Sequence, residues 1–376
     1  MKNEARSQPV VTGAPIPSLQ SLRAFAALAV VAHHAMRSVT VNADTGLNLP
    51  EPLLLRSHAM IELGAVGVDL FFILSGFLMV YISKPYVEGR RSTGNFVLQR
   101  AIRIWPMYVI ATALYLGLNI AIRLMEGREL PFNATPLRLL SFFFVPSFDA
   151  YGLLQPILGV GWTLNYEVFF YLVFALALAV GRRALVPVIA AILAGLFLAG
   201  TALPQETVAH AFLGNPILFE FLLGALAAKL FMAGRLVAVP PSVAILAGLT
   251  LLFAFAWLPN EGYFRVLYRG IPSLLIFVGV LNLDSRITWP KWWIHVGDGS
   301  YSIYLFHLIF LFPLAGFVLR KFVAAGYVAG AAEVTALIGF LVVTAIGLLI
   351  HWMIEKPLTR FLHDLASRKK AAQNAA

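Results

Sequence analysis

The chain has 376 residues, 60% of them hydrophobic and only 12% charged, against roughly 25% charged residues in an ordinary soluble domain. With a mean hydropathy of +0.82, this composition excludes a soluble globular enzyme and points to an all-α, polytopic membrane protein. The net charge of +10 does not signal nucleic acid, since the basic residues fall between apolar runs, and the absence of cysteine removes disulfides, thiolate metal sites and a thiol nucleophile.

Windows of about 17 to 25 apolar residues, each long enough to cross a bilayer core, fall at 18–38, 62–83, 101–123, 162–181, 184–201, 213–232, 243–258, 268–283, 299–319 and 334–354. About ten transmembrane helices are therefore expected. Lys2 and Arg6 before the first run resemble a signal peptide, but His33, His34 and Arg37 stand where a small-residue cleavage site would be, so the run is expected to remain as the first span. The segment Leu139 to Phe148 is short and interrupted by Pro146, which suits an interfacial or re-entrant stretch. Of 28 Lys and Arg residues, 19 fall on the side of the N-terminus. The positive-inside bias thus places both termini in the cytoplasm, in agreement with an even number of spans. The longest gaps, Thr40 to Ile61 and Leu124 to Gly161, lie on the expected outer side and are too short to fold alone, so no soluble domain is expected. The organisation is then a cytoplasmic tail over 1–17, a transmembrane domain over 18–360 and a basic cytoplasmic tail over 361–376. No repeat of 20 to 50 residues is visible.

The first window carries Arg23 and His34, which eleven residues at about 100° each bring to one helical face, about 16 Å apart along the axis. An ionisable side chain inside a span costs roughly 2.5 to 3.5 kcal/mol and usually faces a protein-lined cavity. Counting 1.5 Å per residue puts His34, Asp69 and Glu167 at one outer-leaflet depth. Arg23, Arg100 and Arg103 sit near the cytoplasmic ends, the last two on one face at i and i+3. A basic inner mouth with a histidine and carboxylates further out fits acyl transfer from a phosphate-bearing cytoplasmic donor, with acyl-coenzyme A (acyl-CoA) as the expected one. Arginine suits phosphate because its planar fork donates paired hydrogen bonds and stays charged. Neutral imidazole can take the proton of an attacking hydroxyl, and either Asp69 or Glu167 could orient the ring. No metal is required.

Each residue also has a plainer role. Arg23 can snorkel to headgroups, His34 can be a histidine satisfied by its own helix, and Arg100 and Arg103 can be positive-inside anchors. Glu167, at i+4 from Thr163, can form a structural ion pair. His33 lies about 80° off the Arg23 face and is expected to pack. Ser75 is expected to bond its own helix carbonyl rather than act as a nucleophile. His307 is either a proton relay or a helix–helix hydrogen bond, with the structural role ranked first. Glu355 and Lys356 are expected to close the last span, and Gly76 to mark a close helix approach.

Six segments, in order, carry a family resemblance: LQSLRAFAALAVVAHH from Leu19 to His34, GVDLFFILSGFLM from Gly67 to Met79, RAIRIWPMY from Arg100 to Tyr108, WTLNYEVFFY from Trp162 to Tyr171, YSIYLFH from Tyr301 to His307, and EKP from Glu355 to Pro357. In these the chain resembles the acyltransferase-3 membrane proteins, which O-acylate bacterial surface polysaccharides. The resemblance implies a catalytic role for His34, acyl-donor contacts for Arg100 and Arg103, and an acidic functional position at Glu167. Members often carry an extracellular hydrolase-like domain, which is not expected here, and with it reactions needing that second module.

The combined expectation is a multi-pass O-acyltransferase of the bacterial inner membrane that moves an acyl group, acetyl for preference, from acyl-CoA to a sugar hydroxyl of an exopolysaccharide, lipopolysaccharide or lipid-linked glycan precursor. His34, Asp69 and Glu167 are the catalytic candidates, and Arg23, Arg100 and Arg103 the donor-binding ones. No permanently bound cofactor and no nucleic-acid partner are expected. The rival class is a proton-coupled transporter or flippase of a lipid-linked sugar, which would be expected to show inverted repeats that are not visible. An inactive scaffold would not need costly buried charges at matched depths.

Overall fold

A computed structural model describes residues 16–43, 61, 63–127, 136–236, 239–258 and 262–375. Most of the expected N-terminal tail and of the first outer gap lies outside them. Within the described residues the chain is helical with no strand, and a single isolated bridge joins Phe148 and Leu154. Lipid offers the backbone no hydrogen-bond partners, so an apolar chain satisfies its peptide groups within each helix.

Ten helices coincide with the ten apolar windows. They are α1 (Pro17–Ala43), α2 (Val66–Tyr81), α3 (Thr93–Met125), α4 (Gly161–Val180), α5 (Leu185–Thr201), α6 (Leu218–Met232), α7 (Pro241–Ala254), α8 (Ile271–Leu281), α9 (Ser300–Ala324) and α10 (Ala331–Ile350). Six helical stretches among the described residues are long and apolar enough to cross a membrane: Thr93–Met125, Gly161–Val180, Arg182–Thr201, Val208–Met232, Ser300–Ala324 and Ala331–Arg368. The protein is thus a multi-pass membrane protein. Three of the other four windows give helices of 10–17 residues. The fourth, α1, has 27 residues but carries Arg23, His33, His34 and Arg37, which dilute its hydropathy. The last span does not stop at Glu355: a π-helical turn, His351–Glu355, leads directly into α11 (Lys356–Ala375).

The site is organised by α1 and α2. α1 packs against α2, α9, α10 and the short helix Lys291–Asp298, and 13 of the 16 residues of α2 are buried. Close approach relies on small residues. A Cβ on Gly67 would lie 2.2 Å from the Ala26 carbonyl oxygen of α1. Where α2 crosses α6, a Cβ on Gly76 would lie 2.0 Å from the Phe221 oxygen, and one on Gly224 1.9 Å from the Ile73 oxygen. The expected close approach at Gly76 is present, with α6 as the partner. The segment from Pro136 to Phe144 forms two short helical turns and does not span. Instead it packs on α3, where Phe144 stacks on Tyr108 and the Phe142 carbonyl accepts from Trp105 Nε1 at 2.9 Å.

At the end of the bundle where α1 begins, called here the near end, Ser18 Oγ donates to Asp284, just past α8, at 2.7 Å. The opposite, far end gathers the start of α2, the start of α4 and the stretch leading into α8, as contacts among Asp69, Tyr166, Phe212 and Arg265 demonstrate.

Candidate functional site

A narrow cavity of about 80 Å³ runs from the near end toward the bundle centre, between α1, α2, α3, α4 and α9. A single water needs roughly 10 to 15 Å³ on this measure, so the space holds a few waters or one slender chain. Arg23, Arg100 and Arg103 all line it. Arg23 Nε donates to Ser300 Oγ at 3.2 Å. The Arg100 guanidinium lies 6.0 Å from the Phe96 ring centre and 5.9 Å from that of Tyr171, and its buried Nε has no hydrogen-bond partner among the described residues. Arg103 donates to no described residue. Each guanidinium offers five N–H donors, so most of this donor capacity is unused. The wall also holds Glu167, which accepts from Tyr171 Oη and, at 3.4 Å, from Ser75 Oγ. Ser75 therefore bonds across to α4, whereas its own helix carbonyl was the expected partner.

His34 lies beyond this cavity and is not part of its lining. Its Nδ1 is 3.0 Å from the Val30 carbonyl oxygen and 3.2 Å from His307 Nε2, and the two rings are 4.9 Å apart. His307 is 1% exposed, and its Nδ1 lies 2.6 Å from the Tyr304 carbonyl oxygen. A carbonyl can only accept, so His307 Nδ1 carries the proton and, in the neutral ring, Nε2 is an acceptor. His34 Nδ1 must then donate, toward Val30 and His307 both. That leaves the lone pair of neutral His34 on Nε2. Tyr304 joins this arrangement to the cavity, because its ring lines the wall, contacts Phe71 at 5.6 Å and stands 5.9 Å from His307. Its hydroxyl is held by Thr163 Oγ1 at 2.7 Å.

The three groups expected at one depth thus engage different partners. Neither Asp69 nor Glu167 is hydrogen-bonded to His34, and the partner found in their stead is His307. Depth along a helix is legible in a sequence, but the direction a side chain takes around the bundle is not. Asp69 instead accepts from Arg265 Nη1 at 2.6 Å, and the same nitrogen lies 3.4 Å from Glu220. This buried triad went unremarked in the sequence. Glu220 was findable by the rule that exposed Asp69, being an ionisable residue inside an apolar window, whereas Arg265 falls between windows. His33 Nδ1 is bonded to the Ile61 carbonyl at 2.8 Å, a packing role as expected. Glu355 is buried and accepts from Ser302 Oγ at 2.6 Å and His351 Nδ1 at 2.8 Å. It therefore ties α9 to the π turn.

A second, larger cavity of about 590 Å³ opens at the far end. Helix α4 serves both. Thr163, Glu167 and Tyr171 face the narrow cavity, while Trp162, Asn165 and Tyr166 face the wide one. Val68 of α2 lines the two.

Comparison with known proteins matches residues 16–356 to an acyltransferase domain. The chain is 34% identical over 313 residues to the exopolysaccharide production protein ExoZ of Rhizobium meliloti, covering 79% of this chain and 90% of that protein. It is 24% identical over 330 residues to the peptidoglycan O-acetyltransferase OatA of Listeria monocytogenes and 25% identical over 331 residues to the putative peptidoglycan O-acetyltransferase YrhL of Bacillus subtilis. Each of these alignments covers 78% of this chain and about half of the relative, 49% and 48%. No solved structure matches the chain. Arg23, His34, Asp69, Arg100, Arg103, Glu167 and His307 all lie within the matched domain, and with nearly the whole length of the chain inside it, this membrane acyltransferase belongs to the acyltransferase-3 family.

Proposed function

We propose that this enzyme transfers an acyl group, acetyl for preference, from cytoplasmic acyl-CoA to a hydroxyl of an envelope glycan, in a bacterial inner membrane with the near end facing the cytoplasm. The observation that carries the reading is the convergence of Arg23, Arg100 and Arg103 on one membrane-embedded passage with most of their donors unused. Unspent guanidinium donors in a low-dielectric site call for a polyanion, and the phosphates of coenzyme A supply one. The passage is too narrow for a nucleotide but suits the slender arm that carries a thioester. Similarity to an exopolysaccharide production protein and to a peptidoglycan O-acetyltransferase favours a polysaccharide acceptor.

In the transfer, the acceptor oxygen attacks the thioester carbonyl carbon while His34 Nε2 takes the hydroxyl proton. The carbon–sulfur bond then breaks, and the proton passes to the departing thiolate. His307 holds the imidazole in the tautomer that leaves Nε2 basic, and its Nε2 accepts the charge-assisted hydrogen bond from Nδ1 of the imidazolium. Tyr304 lines the passage and its ring stands 5.9 Å from that of His307, so the thioester arm approaches the histidine pair past this side chain.

The test uses purified protein in nanodiscs with labelled acetyl-CoA and envelope glycan from the producing cell. His34→Ala is expected to lose transfer by roughly 100-fold or more while still binding coenzyme A. Arg103→Gln is expected to raise the donor KM. Undiminished transfer by His34→Ala, or donor binding indifferent to Arg103, would overturn the proposal.

A further inference from the structure

The passage that carries the three arginines ends in a slot of different chemistry. Its lining follows from the direction of the helices. α2 and α4 enter from the far end and bring Val68, Phe71, Phe72, Thr163 and Leu164 to the inner part, while α9 rises from the near end and brings Tyr304. None of these residues carries a charge. The two hydroxyls among them are spent within the wall. Thr163 Oγ1 and Tyr304 Oη are 2.7 Å apart, and each lies 3.1 Å from the Val160 carbonyl oxygen. A passage with a cationic mouth thus closes on apolar surface. The reacting carbon belongs at this closed end, because the Tyr304 ring stands 5.9 Å from that of His307, the partner of His34.

Most of the slot is held in place. Its hydroxyl contacts fix Tyr304, and the Phe71 ring meets Tyr304 edge-on at 5.6 Å. Phe72 is wedged among Trp162, Tyr166 and Phe221, with ring centres 6.3, 6.3 and 4.7 Å away. Val68 differs. It is half-buried, and among the described residues it alone lines both the narrow passage and the wide cavity. Its side chain is therefore where a closed slot borders on open space. The whole passage amounts to about 80 Å³, and the donor arm takes part of it. In a packed apolar pocket an extra methylene must displace wall atoms, and one methylene is discriminated by about 10- to 200-fold.

We infer that Val68 sets the length of the acyl group that is transferred. An acetyl group fits with its methyl against Val68 and Phe71, and a longer chain runs into them. This deepens, and rests on, the acyl-transfer reading.

The experiment compares kcat/KM for acetyl-, propionyl- and butyryl-CoA, using the full chain in nanodiscs and envelope glycan from the producing cell. The wild type is expected to prefer acetyl over butyryl by roughly 100-fold. Val68→Ala should raise the butyryl-to-acetyl ratio by roughly tenfold, because the chain can then extend into the wide cavity. Phe71→Leu widens the same slot one turn along α2 and should raise the ratio too, which decides the matter where Val68→Ala fails to fold. Leu78→Ala is a truncation in the same passage nearer its mouth and should leave the ratio as it was. A wild type indifferent to chain length, or slot variants whose ratio matches that of Leu78→Ala, would overturn the inference while transfer itself persists. Loss of transfer from all three donors in folded wild-type protein would instead overturn the acyl-CoA reading, and the inference with it.

Discussion

His307 and His34 illustrate how one hydrogen bond selects the reactive nitrogen of another ring. Because His307 Nε2 lies 3.2 Å from His34 Nδ1, removing that acceptor frees the His34 ring to flip or change tautomer. His307→Leu is expected to lower kcat by roughly 10- to 100-fold with donor KM unchanged, and His307→Gln, whose amide oxygen can accept, to recover much of the loss. Steady-state kinetics on the two variants checks this, and a parallel fall in both would reduce His307 to packing. The pairing was only half legible in the sequence. His307 stood out as a polar group among aromatics, but nothing in one dimension says that α9 turns it toward α1. Arg23 and His34 were legible because their spacing is a property of one helix, while the partners of Asp69 come from two others.

At the scale of the helices, the crossing of α2 and α6 carries the greatest strain sensitivity. A Cβ on Gly224 would lie 1.9 Å from the Ile73 carbonyl oxygen, a backbone atom that cannot swing aside. Gly224→Val should cost about 3 kcal/mol or more by overpacking and lower the thermal midpoint of the purified protein. Gly195→Val is the control, since nothing lies within 4 Å of its Cβ position. Equal midpoints for the two variants would remove the crossing from the account of stability. Composition and window length were enough to locate the helices, since lipid imposes hydrogen-bond closure on every segment. They were not enough to rank them. The helix with the candidate base, α1, is not among the six stretches long and apolar enough to span, because Arg23 and His34 of the site, together with His33 and Arg37, lower its hydropathy. The end of the last span was also misplaced, since the π turn His351–Glu355 carries the helix past Pro357 into α11.

For the molecule as a whole, the alternation of helices puts Ser285 at the near end, just after α8, and Tyr327 at the far end, between α9 and α10. Both are exposed, and the chain has no cysteine of its own, so single-cysteine variants report without background. In intact spheroplasts an impermeant maleimide is expected to label Tyr327→Cys and spare Ser285→Cys, and inverted vesicles should reverse the pattern. The opposite result would turn the proposed orientation, and with it the donor end, upside down. The basic bias sets both termini on one side of the membrane as an expectation that this labelling tests, whereas the two cavities were not readable, because an enclosed volume belongs to neighbouring helices and to no single segment.

One rod carries residues of both cavities. Trp162, Asn165 and Tyr166 alternate along α4 with Thr163 and Glu167, so their relative bearings are fixed by the winding of a single helix. A residue inserted between Leu164 and Asn165 would swing everything after it by about 100°, pulling Asn165 from the wide cavity and Glu167 from the narrow one in one stroke. The phasing of these two turns, more than the identity of any loop, is what keeps the two cavities in register.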